Sequence, residues 1–528
     1  MTSGRFGAAA AVMALLAGGT AMAADNANNA DSTATVREQV RAWRKTHEKQ
    51  IVGELAGLLA LPNVAAANIQ DIHKNAEHLT GMLRQRGFET RILTAGEGSR
   101  PAVFGELTVP GATRTVVFYA HFDGQPVDPK GWASDPWKAV VRTGPLGTPG
   151  TREVDLATHE GPLDSEWRIF ARSASDDKSP IVALLAAVDG LRAAGIQPSV
   201  NLKVFLEGEE EDGSPHLTDL LKAHAGLLAA DAWVLCDGPT HQTGRMLLYF
   251  GARGVVSLNL TVYGPLRPLH DGHYGNWAPN PAVLLTHLLA GLRDPEGKVL
   301  VPGFYDDMRP LGETEKRAAA AMPAIEDDLR QELGLARSEA DGRLQDRVML
   351  PALNLRGFRA GGVEGSAPLA VPTDAWAGID FRLVPNQTPD KVKQRIEDHL
   401  RREGWHIVAE PPDRETRLAH PKIVRVTWTQ GYPPARTDMD TPASRAVTAV
   451  VEQATGGPVV LVPSLGGSLP MYMFNDTLQV PIVGVPMVNY DNNQHGNDEN
   501  LRLQNLWDGI EVYAALIARL GEEWPSPP

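Results

Sequence analysis

Apolar positions along this chain follow two periods in alternation. Over residues 36–61 they recur at helical spacing, and the run stops before Pro62. Residues 68–87 carry a second helical pattern closed by Gly87. Short β-rich runs follow at 89–93, 102–107 and 115–119. Residues 176–191 then predict a helix with Ile181, Leu184, Leu185 and Val188 on one side, followed by buried strands at 200–206 and 232–236. Strands alternating with helices predict an α/β fold, a doubly wound and mostly parallel sheet.

Near Gly251 the pattern changes. A long alternating run spans 255–263, then a helix over 280–292, a strand over 374–383, a helix over 388–402 and a strand over 423–430. Strand, helix and strand in repetition form a ferredoxin-like α+β pattern. Residues 297–350 sit inside it as a charged, helix-rich insertion. Beyond Thr441 the first pattern resumes, with a helix at 442–455, strands at 459–462 and 480–485, and a last helix at 501–520. The expected organisation is therefore a discontinuous catalytic domain, 24–250 and 437–528, with a smaller domain inserted at 251–436.

Residues 1–23 stand apart. Arg5 precedes an apolar run ending at Gly19, and Ala21-Met22-Ala23 supplies small residues for a cleavage site. This is the pattern of a secretory signal peptide, and it predicts an exported protein, periplasmic first and secreted as the alternative. No later run approaches the apolar length of a membrane span, so none is expected in the mature chain.

The composition is that of a globular protein, 43% hydrophobic and 22% charged. A net charge of −14 has the wrong sign for a general nucleic-acid or anionic-membrane binder. The single cysteine, Cys236, excludes an intrachain disulfide; on an apolar strand with no basic neighbour it reads as a buried structural thiol. His73, His78, His224 and His399 fall in helical stretches and read as exposed positions.

Candidate chemistry gathers at the ends of predicted elements. His121-Phe122-Asp123 follows one strand, Asp176-Asp177-Lys178 opens a helix, Glu210-Glu211 follows a second strand and Asp237 ends a third. His495 follows the strand that ends near Val485. In an open α/β sheet the carboxyl ends of the strands form the ligand-binding edge, so distant segments can converge there. Converging carboxylates repel one another unless they are protonated or hold cations. Imidazole and carboxylate together suit zinc, with manganese or cobalt as alternatives.

The string His121-Phe122-Asp123-Gly124-Gln125-Pro126, then Ser175-Asp176-Asp177-Lys178, Glu207 to Ser214, Asp237, and Gly466-Gly467-Ser468-Leu469-Pro470 before His495 resembles the di-zinc metallopeptidase family. That family comprises carnosinase-like dipeptidases, glutamate carboxypeptidases, aminoacylases, and acetylornithine and succinyl-diaminopimelate deacylases. The resemblance implies two divalent metal ions. His121 and Asp237 would hold one, Glu211 and His495 the other, and Asp176 would bridge. It makes Asp123 the hydrogen-bond partner of the His121 imidazole, and Glu210 the general base acting with a metal-bridging hydroxide. The Glu210/Glu211 register is taken from Gly213-Ser214, which follow the metal glutamate at this distance in the family.

The insert resembles the family's lid domain, which implies a homodimer through that domain. Leu269-His270-Asp271-Gly272-His273-Tyr274-Gly275 resembles the family's DLHSGxxG segment, making His270 the donor to the substrate carbonyl. Asn280 and Arg382 match lid positions. Arg382, with the backbone at Gly467 and Ser468, would receive a substrate carboxylate. Departures from the pattern include Arg172-Ser173-Ala174 where GRG-like residues are common, and Ser464-Leu465 where carnosinase-like members carry an Arg-Glu pair. The resemblance thus implies an exopeptidase, a dipeptidase or carboxypeptidase, acting on small peptides. The enzymatic alternative is an N-acyl-amino-acid deacylase. The alternative of another class is a non-catalytic peptide-binding or dimerisation module, which the intact ligand set and Glu210 disfavour.

Overall fold

The computed structural model describes the backbone of residues 8–362 and 367–524, and side chains from residue 32 onward. The signal-peptide reading of residues 1–23 lies outside the described residues, apart from the helical backbone that runs from Ala8 to Leu59. Among the described residues, no helix is long and apolar enough to cross a membrane.

The chain divides into two compact units. The first comprises residues 1–248, 438–461 and 473–528, and the second 249–437 and 462–472. An eight-stranded sheet runs in the order Glu89–Leu93, Ala102–Leu107, Asn201–Glu207, Thr115–His121, Ala232–Leu235, Ile482–Gly484, Leu247–Tyr249 and Val460–Val462. Its middle four strands are mutually parallel, so their carboxyl ends lie on one edge. Register then decides what meets there. His121 pairs with Glu207, and Tyr119 pairs with Leu235, so Asp237, two residues beyond Leu235, comes level with His121.

Helix Lys178–Ala193 is buried along almost its whole length and packs with the terminal helix Leu503–Glu523 and the first helix. The Lys178 ammonium donates to the carbonyls of Leu58 and Leu61 at 2.9 Å each. Proline and capping residues set several helix starts as the sequence pattern requires. Asn68 accepts from the Gln70 N–H ahead of Ile69–Gln85, and Thr441 accepts from Ser444 ahead of Pro442–Thr455, whose first residue is proline. Gly456 closes the latter at φ 72°, a conformation that costs glycine little.

The second unit is built on a five-stranded sheet ordered Ala352–Ala360, Asp374–Leu383, Gly254–Tyr263, Ile423–Trp428 and His406–Val408, antiparallel except for the last pair. Alternation in Gly254–Tyr263 sends Val256, Leu258, Leu260 and Val262 into one apolar cluster with Leu285, Phe381 and Ile396. The 297–350 insertion carries helices Glu313–Ala321, Glu326–Glu332 and Leu344–Val348.

Some elements escaped the sequence pattern. Strand Ala352–Ala360 is a sheet edge with solvent-facing residues and Gly357 inside it, so it lacks clean alternation. Helix Met471–Leu478, not predicted, directly follows the Gly466-Gly467-Ser468-Leu469-Pro470 motif. His399, read as exposed, is buried, because helix Pro389–Arg402 turns it inward beside Ile396 and Leu400. Cys236 is buried as expected, and burial pushes its thiol far up.

Candidate active site

The carboxyl edge of the first unit's sheet gathers buried acids around two imidazoles. His121 ends its strand at 1% exposure, with Asp176 at 3%, Asp237 at 5% and Asp123 at 0%. His121 Nε2 lies 2.9 Å from Asp176 Oδ1, while its Nδ1 faces Asp123 at 3.4 Å from the carboxylate and 3.2 Å from the carbonyl. The other Asp176 oxygen lies 3.0 Å from His495 Nε2, which in turn stands 3.3 Å from Glu211 Oε2. Potential ligand atoms of His121, Asp176 and Asp237 all fall within 4.8 Å of one another, as do those of Asp176, Glu211 and His495. Asp176 belongs to both groups.

Electrostatics here are unbalanced. Burial lifts Glu211 to about 7 and Asp237 to about 6, and the nearby Asp176 charge pushes each the same way. Burial also raises Glu210 well above the usual carboxylate range; the His121 imidazole opposes this, and Asp237 and Glu211 add to it. Asp176 is the exception: burial would raise it, but hydrogen bonds from His121 and His495 hold it low. Behind the cluster, burial lifts Glu207 to about 8 although Tyr119 donates to it at 2.8 Å. Buried acids with too few counter-charges and a mixed nitrogen and oxygen donor set fit divalent cations.

Asp123 does more than the sequence pattern implied. Its carboxylate accepts the backbone N–H of Glu210 at 3.1 Å and of Glu211 at 3.0 Å. It therefore aims the short helical turn Glu210–Asp212 as well as facing the imidazole. Gln125, quoted in the motif without a role, donates to Glu211 Oε2 at 2.8 Å. Buried Glu499 accepts the Asp176 N–H and pairs with buried Arg172; Arg172 stood in the sequence only as part of a motif departure, and nothing there singled out Glu499.

The remaining candidates belong to the second unit. Arg382 Nη1 donates to Ser468 Oγ at 2.7 Å, so two residues singled out separately meet. Sequence reading missed Arg253 beside them. Its backbone N–H donates to the Gly467 carbonyl at 3.2 Å, and its Nε to the Gly466 carbonyl at 2.9 Å. Burial and the Arg382 charge bring its guanidinium down to about 10. Asn280 caps helix Pro281–Leu292, its side-chain oxygen accepting from Ala282 at 2.9 Å. His270 is exposed; its Nδ1 accepts the Gly272 N–H at 3.1 Å, which leaves the ring proton on Nε2.

A doubly wound sheet with this acid and imidazole cluster at its carboxyl edge, taken with the family match and the relatives that follow, makes this a metallo-hydrolase acting on peptide bonds. The sequence profile of peptidase family M20/M25/M40 matches residues 117–519, and the chain belongs to that family. A Cys-Gly metallodipeptidase of Schizosaccharomyces pombe is 27% identical over 80% of this chain and 84% of its own length. A Beta-Ala-His dipeptidase of Rattus norvegicus is 25% identical over 81% of this chain and 82% of its own. The crystal structure of an M20 family metallo-carboxypeptidase from Sulfolobus solfataricus superposes with a TM-score of 0.71 at 25% identity, covering 89% of this chain and 99% of that one.

These relatives correct one expectation. Cys-Gly metallodipeptidases are cytosolic enzymes, which contradicts the exported, periplasmic protein expected above. The lone Cys236 gave that expectation no support, because a chain without disulfides suits a reducing compartment equally well.

Proposed function

We propose that the protein is a dipeptidase working with two divalent cations, zinc or manganese, on small peptides with a free carboxylate. His121 and Asp237 would hold one cation, Glu211 and His495 the other, with Asp176 shared. The observation that carries this reading is the pair of overlapping donor groups with Asp176 in common, beside a glutamate, Glu210, that belongs to neither. Cys-Gly and Beta-Ala-His dipeptidases among the relatives favour a dipeptide over an N-acyl amino acid.

When bound, such cations supply Lewis-acid polarisation of the scissile carbonyl and a more acidic water. Glu210 would accept the proton of the attacking water and pass it to the leaving amide nitrogen. Asp123 would hold that glutamate's backbone and the His121 ring in place. His270, protonated at Nε2, would donate to the carbonyl oxygen as charge develops there. Arg382, with Ser468 and Gly467, is assigned to the substrate carboxylate, and Asn280 to substrate contact from the start of its helix. We assign residues 251–436 to the lid and to a homodimer interface. Supporting the latter, edge strand Ala352–Ala360 presents Leu355 and Phe358 to solvent at 46% each.

The test is a panel of dipeptides, their C-terminal amides and N-acyl amino acids, assayed with zinc and with manganese. Dipeptides should be cleaved and their amides should not. Preferred turnover of N-acyl amino acids would favour the deacylase, and no turnover together with no ion uptake would favour the binding module.

A further inference from the structure

We propose that Glu499 and Arg172 form a buried positioning lock that ties the Asp176 loop to the His495 loop, and so sets the affinity of the cation held by Asp176, Glu211 and His495. The inference rests on the two-cation reading and adds to it two residues that are neither ligands nor in reach of the reaction.

Glu499 is fully buried and its carboxylate is saturated with donors. Oε1 accepts the backbone N–H of Ser175 and of Asp176, each at 2.9 Å, and the Ser175 hydroxyl at 3.0 Å. Oε2 accepts the Ser173 N–H at 3.0 Å and Arg172 Nη1 at 2.7 Å. Arg172, at 2% exposure, uses its other arm on the next loop: Nη2 donates to the Gly496 carbonyl at 3.0 Å and reaches Pro126 at 3.4 Å. The guanidinium lies over the Trp132 ring at 5.1 Å, which keeps water from it. Behind the lock, strand Asn500–Arg502 pairs with Arg168–Phe170, Asn500 opposite Phe170, and the Ala171 N–H donates to the Glu499 carbonyl.

Burying a carboxylate and a guanidinium is costly, and an apolar pair of equal volume would pack as well or better. What charge adds is direction. A bidentate arginine fixes two acceptors at a set angle, and an ionised carboxylate orders several N–H groups at once. Here the ordered groups are the backbone of Asp176 and the carbonyl beside His495. Ser173 holds a left-handed φ of 62°, unusual for a residue other than glycine, and its N–H is one of those Glu499 secures. His121 is the last residue of its strand and Asp237 lies two residues beyond the end of the next, and neither backbone is among the groups that the Glu499 and Arg172 side chains bind. Losing the lock therefore releases two of the three ligands of the Asp176–Glu211–His495 group but only one of the His121–Asp176–Asp237 group.

The test uses the full-length protein, stripped of metal and titrated with Mn2+ and Co2+ by calorimetry and visible absorption; a His495→Ala variant marks which binding step belongs to that ligand. Glu499→Gln should weaken that step about tenfold or more and the other step far less. Turnover should fall at limiting metal and recover in excess metal with KM unchanged. Arg172→Lys keeps the charge pair but has one head for two acceptors; it should weaken the same step, and it carries the test if Glu499→Gln does not fold. Wild-type affinities in these variants, or equal weakening of both steps, would overturn the lock. A wild-type protein that takes up only one ion would instead refute the two-cation reading.

Discussion

Replacing Asp123 by asparagine isolates the contribution of one carboxylate that touches three site residues. In the native chain it accepts two backbone N–H groups, from Glu210 and Glu211, and faces His121 Nδ1. Asparagine keeps the volume and one acceptor oxygen. The second position becomes an NH2 group, which confronts a backbone N–H and cannot receive it. The net loss is about one hydrogen bond to a charged acceptor, on the order of 1.5–3 kcal/mol. If this appears in the placement of Glu211 and His121, ion affinity should fall about 10- to 100-fold, the usual range for a residue that orients metal ligands. Chelator-competition titration with Mn2+ measures it. In excess metal the ligands are pulled back into place, so any remaining fall in kcat reports the displacement of Glu210. Ion affinities within about threefold of wild type and an unchanged kcat would refute the assignment, since a loss of even 1.4 kcal/mol is tenfold.

Glu210→Gln should retain both ions, counted by elemental analysis, while kcat falls about 10²- to 10⁴-fold, the typical contribution of a general base; ion loss with turnover preserved would show that the Glu210/Glu211 register is wrong. Metal-free protein should lose stability as pH rises. Glu207, Glu211 and Asp237 are raised to about 8, 7 and 6, so their stabilising, protonated forms are complete below the ordinary carboxylate range and are lost as pH passes through those values. Thermal unfolding of the chelated protein at pH 5 and pH 8.5, roughly bracketing those values, should give a lower Tm at the higher pH, with the larger rescue by Mn2+ there; a rising Tm would count against the acid cluster. Sedimentation velocity should show a dimer that Leu355→Glu with Phe358→Glu converts to monomer, and a wild-type monomer would remove the interface assignment.

Much of the fold can be read from periodicity because its central elements are buried on defined faces. Strands Ala102–Leu107 and Asp374–Leu383, and helix Pro442–Thr455, begin and end where the apolar pattern does. Edge strand Ala352–Ala360 could not be read this way, since a strand paired on one side only need not alternate. The candidate ligands were recognisable as acidic and histidine residues just past strand ends, because such positions in a parallel sheet share one edge.

Other features depend on contacts between segments far apart in sequence. The family resemblance paired Asp123 with His121, but only the fold brings the Glu210 and Glu211 N–H groups onto its carboxylate. Glu499 and Arg172 lie more than 300 residues apart, and nothing local to either shows that they pair. The sequence by itself determined where many of the strands and helices lie and which residue types crowd the ends of those elements, because hydrophobic period and composition are local properties. Tertiary structure alone decided that Asp123 receives the Glu210 and Glu211 N–H groups and which loops a buried ion pair holds together, because those relations depend on register and on distances between segments that the chain order does not encode.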